Sequence, residues 1–114
     1  MTVRDIVGSL KLEVLTDTEA LDKTVTGGYV SDLLSDVIAH GKTGNLWVTL
    51  QTHRNIVAVA ALKELAGVIL VNGRTPDSDT LSKAREEGVL VLASRLPAFD
   101  LAGRLYQMGI RGSV

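Results

Sequence analysis

The stretch VILVNGRTPDSDTLSKAREEG, residues 68–88, decides the fold. It begins with a short run that is apolar at every position, passes through a polar turn, and ends in a helical segment closed by glycine. A strand that is apolar at every position is buried on both faces, which is typical of a parallel sheet. The helix is expected to begin near Pro76, Asp77, Ser78 and Asp79, because these residues favour a helix N-terminus.

The same pattern flanks this stretch on both sides. LWVTLQTHRNIVAVAALKELAG precedes it as residues 46–67, and VLVLASRLPAFDLAGRLYQMG follows it as residues 89–109. The units end at Gly67, Gly88 and Gly109, where glycine would accept the left-handed conformation past a helix end. The sequence therefore predicts three successive β–α units, which should be joined by right-handed crossovers. The predicted fold is a three-layer α/β/α domain with a mostly parallel sheet of four to five strands.

The first half of the chain is less regular. TVRDIVGSL predicts an N-terminal helix capped by Thr2, and KLEVL predicts a strand; further on, VTGGYV leads into a helix. This second helix is expected to be capped by Ser31 and to end at Gly41. One face of that helix should carry five apolar residues: Val30, Leu33, Leu34, Val37 and Ile38.

Composition excludes several classes of protein. The 114 residues fit one domain, 1–114, with 46% apolar and 22% charged residues. The absence of cysteine excludes disulfides and thiol catalysis, and it agrees with a reducing cytosol. A net charge of −1, with one Trp, two Tyr and one Phe, argues against nucleic-acid binding. Asp5 near the N-terminus and the lack of a long apolar run argue against a signal peptide or a membrane helix, so we expect a cytoplasmic protein.

The helix predicted after Asn55, IVAVAALKEL, is apolar nearly all round. Such a helix is buried on more than one side. In a chain of this size one of those sides can be covered by a second subunit, and a homodimer is therefore expected.

Three loops are expected at the carboxyl ends of the strands, where open α/β sheets bind ligands. Each loop, QTHRN, NGRTPD and ASRLPA, carries one arginine and precedes a helix N-terminus, which favours an anion such as phosphate. The alternative is that these residues only cap helices and stay solvated. The candidate residues are Gln51, Thr52, His53, Arg54, Asn55, Asn72, Arg74, Thr75, Asp77, Ser94 and Arg95.

The pair Gly27-Gly28 lies between a strand-like run and a helical segment. At such a junction two glycines can form a phosphate-binding nest, and both residues are therefore ligand-binding candidates. The alternatives are a simple turn of the chain or a close approach between two backbone segments.

Two other sequence features do not indicate a nucleotide-binding P-loop, a metal site or a catalytic site. HGKTG ends like a P-loop, but Asp36 stands where that motif needs its first glycine, and the segment runs from helix into strand. His53 and His40 are too far apart in sequence for a metal signature, and no nucleophile or carboxylate pair accompanies them. We therefore expect no catalytic residues, no metal and no cofactor, and a protein that is not an enzyme.

The segments VTGGYVSDLLSDV, LWVTLQTHRNIVAVAAL and PAFDLAGRLYQMGI resemble stand-alone members of the DRTGG domain family. The resemblance covers nearly the whole chain up to Ile110, and QTHRNIVAVA is its most specific part. The five-residue string of the family name is not present; only TGG, Thr26 to Gly28, remains of it. The glycine pair is therefore a family feature that serves the fold or a shared site.

The resemblance implies an α/β fold with a mostly parallel sheet. Such domains occur in phosphotransacetylases and between the CBS domains of regulated pyrophosphatases, and they resemble the N-terminal domain of HPr kinase/phosphorylase. In these proteins the domain is regulatory and lies at subunit interfaces, and some stand-alone members are encoded near iron hydrogenase genes.

Three hypotheses follow from the sequence and the resemblance. The first is a non-enzymatic, homodimeric regulatory module that binds an adenine nucleotide or another phosphorylated metabolite. The second is a docking subunit of a larger metabolic or redox enzyme, such as an iron hydrogenase system, without a small ligand. The third is a small enzyme for a phosphorylated substrate, with His53 as its acid or base.

Overall fold

The computed structural model describes residues 1–16 and 18–112. The strands are β1 Glu13–Val14, β2 Gly27–Val30, β3 Asn45–Thr49, β4 Gly67–Leu70 and β5 Val91–Ala93. The α-helices are α1 Val3–Leu10, α2 Leu34–His40, α3 Asn55–Leu62, α4 Ser78–Glu87 and α5 Ala98–Gln107, and a 3₁₀ helix covers Thr18–Asp22. Within the described ranges, every helix is too short or too polar to cross a bilayer.

The five strands form one sheet in the order β1-β5-β4-β3-β2. Strands β2 to β5 are parallel, with Trp47 opposite Val68 and Leu70 opposite Ala93. Only β1 is antiparallel, and it pairs with β5 at one edge of the sheet. The mostly parallel sheet predicted from the sequence is confirmed.

Helices cover both faces of the sheet, which confirms the three-layer α/β/α arrangement. Helices α2, α3 and α4 pack on the face that carries Trp47 and Val68. Helices α1 and α5 and the 3₁₀ helix pack on the opposite face, against Val48 and Ile69. Alternate residues of each strand point to opposite faces, and the central strands β3 and β4 are buried at every position, including the polar Asn45 and Thr49 at the two ends of β3.

From β2 to β5 the chain crosses the sheet strand by strand in one direction, and it returns across the sheet only after β5. Strands β2, β3, β4 and β5 follow each other across the sheet, and α2, α3 and α4 connect them on one face. After β5 the chain passes to the other face, where α5 packs back against β2 and β3. The loops that follow β4 and β5 therefore leave the sheet towards opposite faces, which opens a crevice between them.

The region around α2 differs from the prediction. Val30 belongs to β2, not to the helix, because the parallel pairing continues to Ser31, whose N–H donates to Val48 O. The helix begins at Leu34, and Ser31 does not cap it: the Ser31 hydroxyl accepts from Leu33 N in a local turn. Val30, Leu33 and Ile38 are exposed, so they form no buried helix face.

The helix-ending glycines are confirmed at two of three positions. Gly88 and Gly109 have φ of 68° and 101°. Gly67 does not end a helix, because it is the first residue of β4. The left-handed residue after α3 is instead Glu64, with φ of 53°.

Most of the apolar surface of α3 is buried by contacts within the chain. Ile56, Val57, Val59 and Ala60 are buried between the sheet, α2 and α4. Among its remaining apolar residues, Leu62 is 67% exposed. This packing explains an apolar helix without a second subunit, and the homodimer stays a prediction.

Gly44 makes the turn before β3 and should not tolerate a side chain. Its φ is 83°, and a methyl group there would lie 2.7 Å from Cγ2 and 2.8 Å from Oγ1 of Thr26. Thr26 has little room to move, because its hydroxyl donates to Thr43 O and accepts from Asn45 Nδ2. We expect Gly44→Ala to lower the free energy of unfolding by about 2–4 kcal/mol, from left-handed strain and overpacking together. Urea denaturation measures this loss.

The control for this experiment is Gly8→Ala. Gly8 lies inside α1, and a methyl group there would contact nothing within 4 Å. The same substitution should raise the stability there by about 0.5–1 kcal/mol. Equal effects at the two positions would contradict the strain assigned to Gly44.

Candidate functional site

The crevice between the loops after β4 and β5 forms a cleft of about 510 Å³, which we call the switch-point cleft. The end of α1 and strand β1 form its third side, because β1 pairs with β5. The residues that line it are Leu10, Lys11, Glu13, Leu15, Gly73, Arg74, Thr75, Pro76, Leu81, Ala93, Ser94, Arg95 and Leu96.

A tight turn directs Arg74 into this cleft. Asn72 and Gly73 have φ of 59° and 65°, and Arg74 N donates to Val71 O. Two consecutive positive φ angles define a type I′ turn, for which Asn-Gly is the preferred pair. Asn72 thus shapes the turn, and its side chain does not line the cleft.

Backbone hydrogen bonds join the two loops that form the floor of the cleft. Asn72 N donates to Leu96 O and Gly73 N donates to Ser94 O, both over 2.9 Å. The Ser94 hydroxyl accepts from Leu96 N and so holds the start of the second loop. The loops therefore have a defined position relative to each other, as a preformed binding site requires.

Positive charge dominates the polar part of the cleft. Lys11, Arg74 and Arg95 line it together with one carboxylate, Glu13. In the part of the chain that the structure describes, none of these four side chains makes an ion pair or a hydrogen bond. Cations that have no protein partner can bind the oxygens of phosphate or carboxylate groups.

The rest of the cleft surface is apolar. Pro76 is buried, and Leu15, Leu81 and Leu96 are partly buried around it. An apolar surface beside three cations suits a ligand that has a flat or hydrocarbon part as well as an anionic part.

The loop after β3 does not reach this cleft. Gln51 Nε2 donates to Asp32 O, and Thr52 O accepts from Thr80 Oγ1 on α4. His53 Nδ1 accepts from Asn55 N at the start of α3. Gln51 thus holds the segment before α2, while the groups of Thr52 and His53 hold the starts of α4 and α3.

The expected convergence of three arginines is wrong for one of them. Arg54 lies just before α3, and its guanidinium is 3.8 Å from a carboxylate oxygen of Asp79 in the first turn of α4. Arg74 and Arg95 share the switch-point cleft with Thr75. Asp77, the N-terminal cap of α4, does not line it.

Gly27 and Gly28 do not lie at a strand-to-helix junction, which corrects the prediction. They are the first two residues of β2, at the amino end of the parallel sheet and so at the edge opposite the cleft. Gly28 N donates to Arg111 O, and a methyl group on Gly28 would lie 3.4 Å from Ile110 Cγ2. Gly28 therefore allows a close approach of the C-terminal segment to β2.

Sequence reasoning missed Lys11 and Glu13. Both precede the predicted parallel units, and they reach the cleft only because β1 pairs with the far strand β5. The available signal was local: two charged residues, separated by the buried Leu12, at the start of the strand-like run KLEVL.

A second polar cluster lies on α2 and β2, away from the cleft. Tyr29 OH donates to Asp36 Oδ2 over 2.8 Å, and His40 Nδ1 is 3.0 Å from Asp36 Oδ1. The hydrogen bond from Tyr29 lowers the pKa of Asp36 and raises the pKa of Tyr29. The hydrogen bond between Tyr29 and Asp36 joins β2 to α2. Among the described residues no group of three His, Cys, Asp or Glu is placed to bind a metal ion.

The sequence matches no family model and no curated protein. Among solved structures, the chain is similar to the CBS and DRTGG domains of the regulatory region of Clostridium perfringens pyrophosphatase, complexed with the activator diadenosine tetraphosphate. The TM-score is 0.75 at 16% sequence identity, and the match covers 96% of this chain and 47% of that chain. The chain thus spans about half the length of the structure that it matches, and it has a DRTGG-domain-like fold.

Proposed function

We propose that the chain is a regulatory module that binds an adenine nucleotide or another phosphorylated metabolite in the switch-point cleft. The observation that carries this proposal is that Lys11, Arg74 and Arg95 line one cleft and, among the residues described, make no ion pair or hydrogen bond through their side chains. Arginine binds phosphate through two parallel hydrogen bonds and lysine binds it as a point charge.

The size and chemistry of the cleft support a nucleotide-sized ligand. Clefts of roughly 300–1,000 Å³ hold small organic ligands, and the switch-point cleft has about 510 Å³. Its apolar surface around Pro76 and Leu96 suits a base, while the cations suit phosphates. The pyrophosphatase with the similar fold has a regulatory region complexed with the activator diadenosine tetraphosphate, which makes adenine nucleotides the first class to test.

A role without catalysis fits the groups that line the cleft. The Ser94 hydroxyl is held by a backbone N–H, and the described cleft residues include no histidine. A general acid or base has to lie within hydrogen-bond reach of the reacting proton. Glu13 is the one carboxylate among them, and we assign it a role in binding below.

A thermal-unfolding screen tests the proposal. The purified protein is heated with phosphate, AMP, ADP, ATP, diadenosine polyphosphates, acetyl phosphate or coenzyme A. A ligand at one hundred times its Kd should stabilise the fold by roughly 2.7 kcal/mol, which raises the Tm by about 10 °C for a domain of this size. Sodium chloride at matched ionic strength is the control, because screening alone should not produce this shift. No shift with any compound would contradict the proposal.

A docking subunit of a larger enzyme is the second candidate. Val30 on the edge strand β2 is 52% exposed, and Leu33 and Ile38 at α2 are exposed as well. An edge strand with exposed apolar side chains favours contact with another chain, either a second copy or a larger enzyme. A screen without any ligand shift would favour this candidate.

A further inference from the structure

The N-terminal segment contributes one side of the switch-point cleft. Helix α1 ends at Leu10, and Glu13 pairs with Ala93 of β5. Leu12 between them is buried in the core. Lys11 and Glu13 are exposed on either side of it and face the loops that carry Arg74 and Arg95.

Lys11 adopts a conformation that its residue type does not favour. It caps the C-terminus of α1 with φ of 53° and ψ of 47°, a position at which glycine or asparagine is usual. Any residue that has a Cβ is strained in this left-handed conformation. A glycine at this position would form the same backbone cap, so the lysine adds only its side chain, which lines the cleft.

Glu13 is unexpected in a site for a bare polyanion. Its carboxylate shares the cleft with three cations, yet it makes no ion pair or hydrogen bond within the ranges described. A carboxylate repels phosphate, but it accepts hydrogen bonds from hydroxyl or amino groups. A ligand that carries both phosphates and such donors would satisfy all four charged side chains.

We infer that Lys11 and Glu13 are the residues that determine ligand specificity, an inference that rests on the function proposed above. The ligand class is an organic phosphate with a hydroxyl or amino donor near its phosphates, as on the ribose of a nucleotide. Lys11 binds a phosphate oxygen, and Glu13 accepts a hydrogen bond from the donor. Inorganic polyphosphates bind less tightly, because they bring charge without a donor.

Calorimetric titration with ADP and with inorganic pyrophosphate tests this inference. Wild-type protein should bind ADP at least about tenfold more tightly than pyrophosphate. Glu13→Gln removes the charge and keeps the shape, and it should reduce this preference about tenfold by weakening ADP binding while pyrophosphate binding is kept or improved. Lys11→Gly should weaken the binding of both compounds about 10- to 100-fold.

Glu64→Gly is the matched control for Lys11→Gly. Glu64 has the same φ of 53°, but it lies at the end of α3 and does not line the cleft. Both substitutions relieve left-handed strain, so both should raise the Tm by about 2–6 °C. Only Lys11→Gly should lose affinity, which separates the role in binding from the effect on stability.

The outcomes distinguish this inference from the proposed function. If Lys11→Gly or Glu13→Gln binds ADP and pyrophosphate as the wild type does, the specificity role is overturned while a binding cleft remains. If the wild type binds pyrophosphate as tightly as ADP, the ligand class is overturned. If the thermal screen gives no ligand at all, the proposed function fails, and this inference fails with it.

Discussion

Replacing Trp47 by alanine is expected to lower the free energy of unfolding by about 3–5 kcal/mol. Trp47 is 0% exposed in β3, and its Nε1–H donates to Ser31 O over 2.7 Å. The substitution leaves a cavity between the sheet and α3, and it removes the hydrogen bond that holds the end of β2. Since domains are stable by only about 5–15 kcal/mol, the variant should be close to unfolding at 37 °C.

Circular dichroism during urea denaturation is the suitable measurement, because Trp47 is the sole tryptophan and its fluorescence is lost with it. Trp47→Phe serves as the control. It keeps an aromatic ring in the core and loses the hydrogen bond, so it should be less destabilised than Trp47→Ala. A loss below 1 kcal/mol for Trp47→Ala would contradict the central place of this residue in the core.

The second large effect concerns ligand binding. The double variant Arg74→Ala/Arg95→Ala should weaken the binding of any phosphorylated ligand found in the screen by at least about 100-fold. Each arginine is expected to supply charge-assisted hydrogen bonds worth about 1.5–3 kcal/mol, and the two lie on separate loops that meet in one cleft. Titration calorimetry with the same ligand measures the change.

The double variant Lys63→Ala/Arg104→Ala is the control for charge. It also removes two positive charges, but Lys63 follows α3 and Arg104 lies on α5, both outside the cleft. Its affinity should stay within about twofold of the wild type, since exposed charges at a distance are screened by salt. Similar losses in both double variants would mean that overall charge, not this cleft, attracts the ligand.

The β–α rhythm could be predicted because its signals are local. A buried parallel strand can be recognised from a short run of apolar residues. A helix cap such as Thr2, whose hydroxyl accepts a hydrogen bond from Asp5 N, can be recognised within four consecutive residues. The sequence therefore predicts that the loops after β4 and β5 lie at one edge of the sheet, and Arg74 and Arg95 of these loops line the same cleft.

Other features depend on contacts between distant segments. Gly27 and Gly28 begin β2 because this strand pairs with β3 and its first residues approach Ile110 and Arg111, which no local pattern records. Lys11 and Glu13 join the cleft through an antiparallel pairing with β5, almost eighty residues further along the chain. The loop that carries Arg54 resembles the other two in sequence, but its guanidinium lies 3.8 Å from the carboxylate of Asp79 on the neighbouring helix and outside the cleft.

Strand β1 is only two residues long, and it brings one side of the cleft to the others. We expect so short a pairing to open locally more easily than the central strands β3 and β4. A ligand held by Lys11 and Glu13 as well as by the two arginines would bind only the form in which β1 is paired with β5. Its binding free energy would therefore increase the free energy needed to open this pairing. Occupancy of the cleft would then suppress amide exchange in the N-terminal segment. A protein attached to that segment would sense the ligand through a change in local order, without a movement of the rest of the sheet.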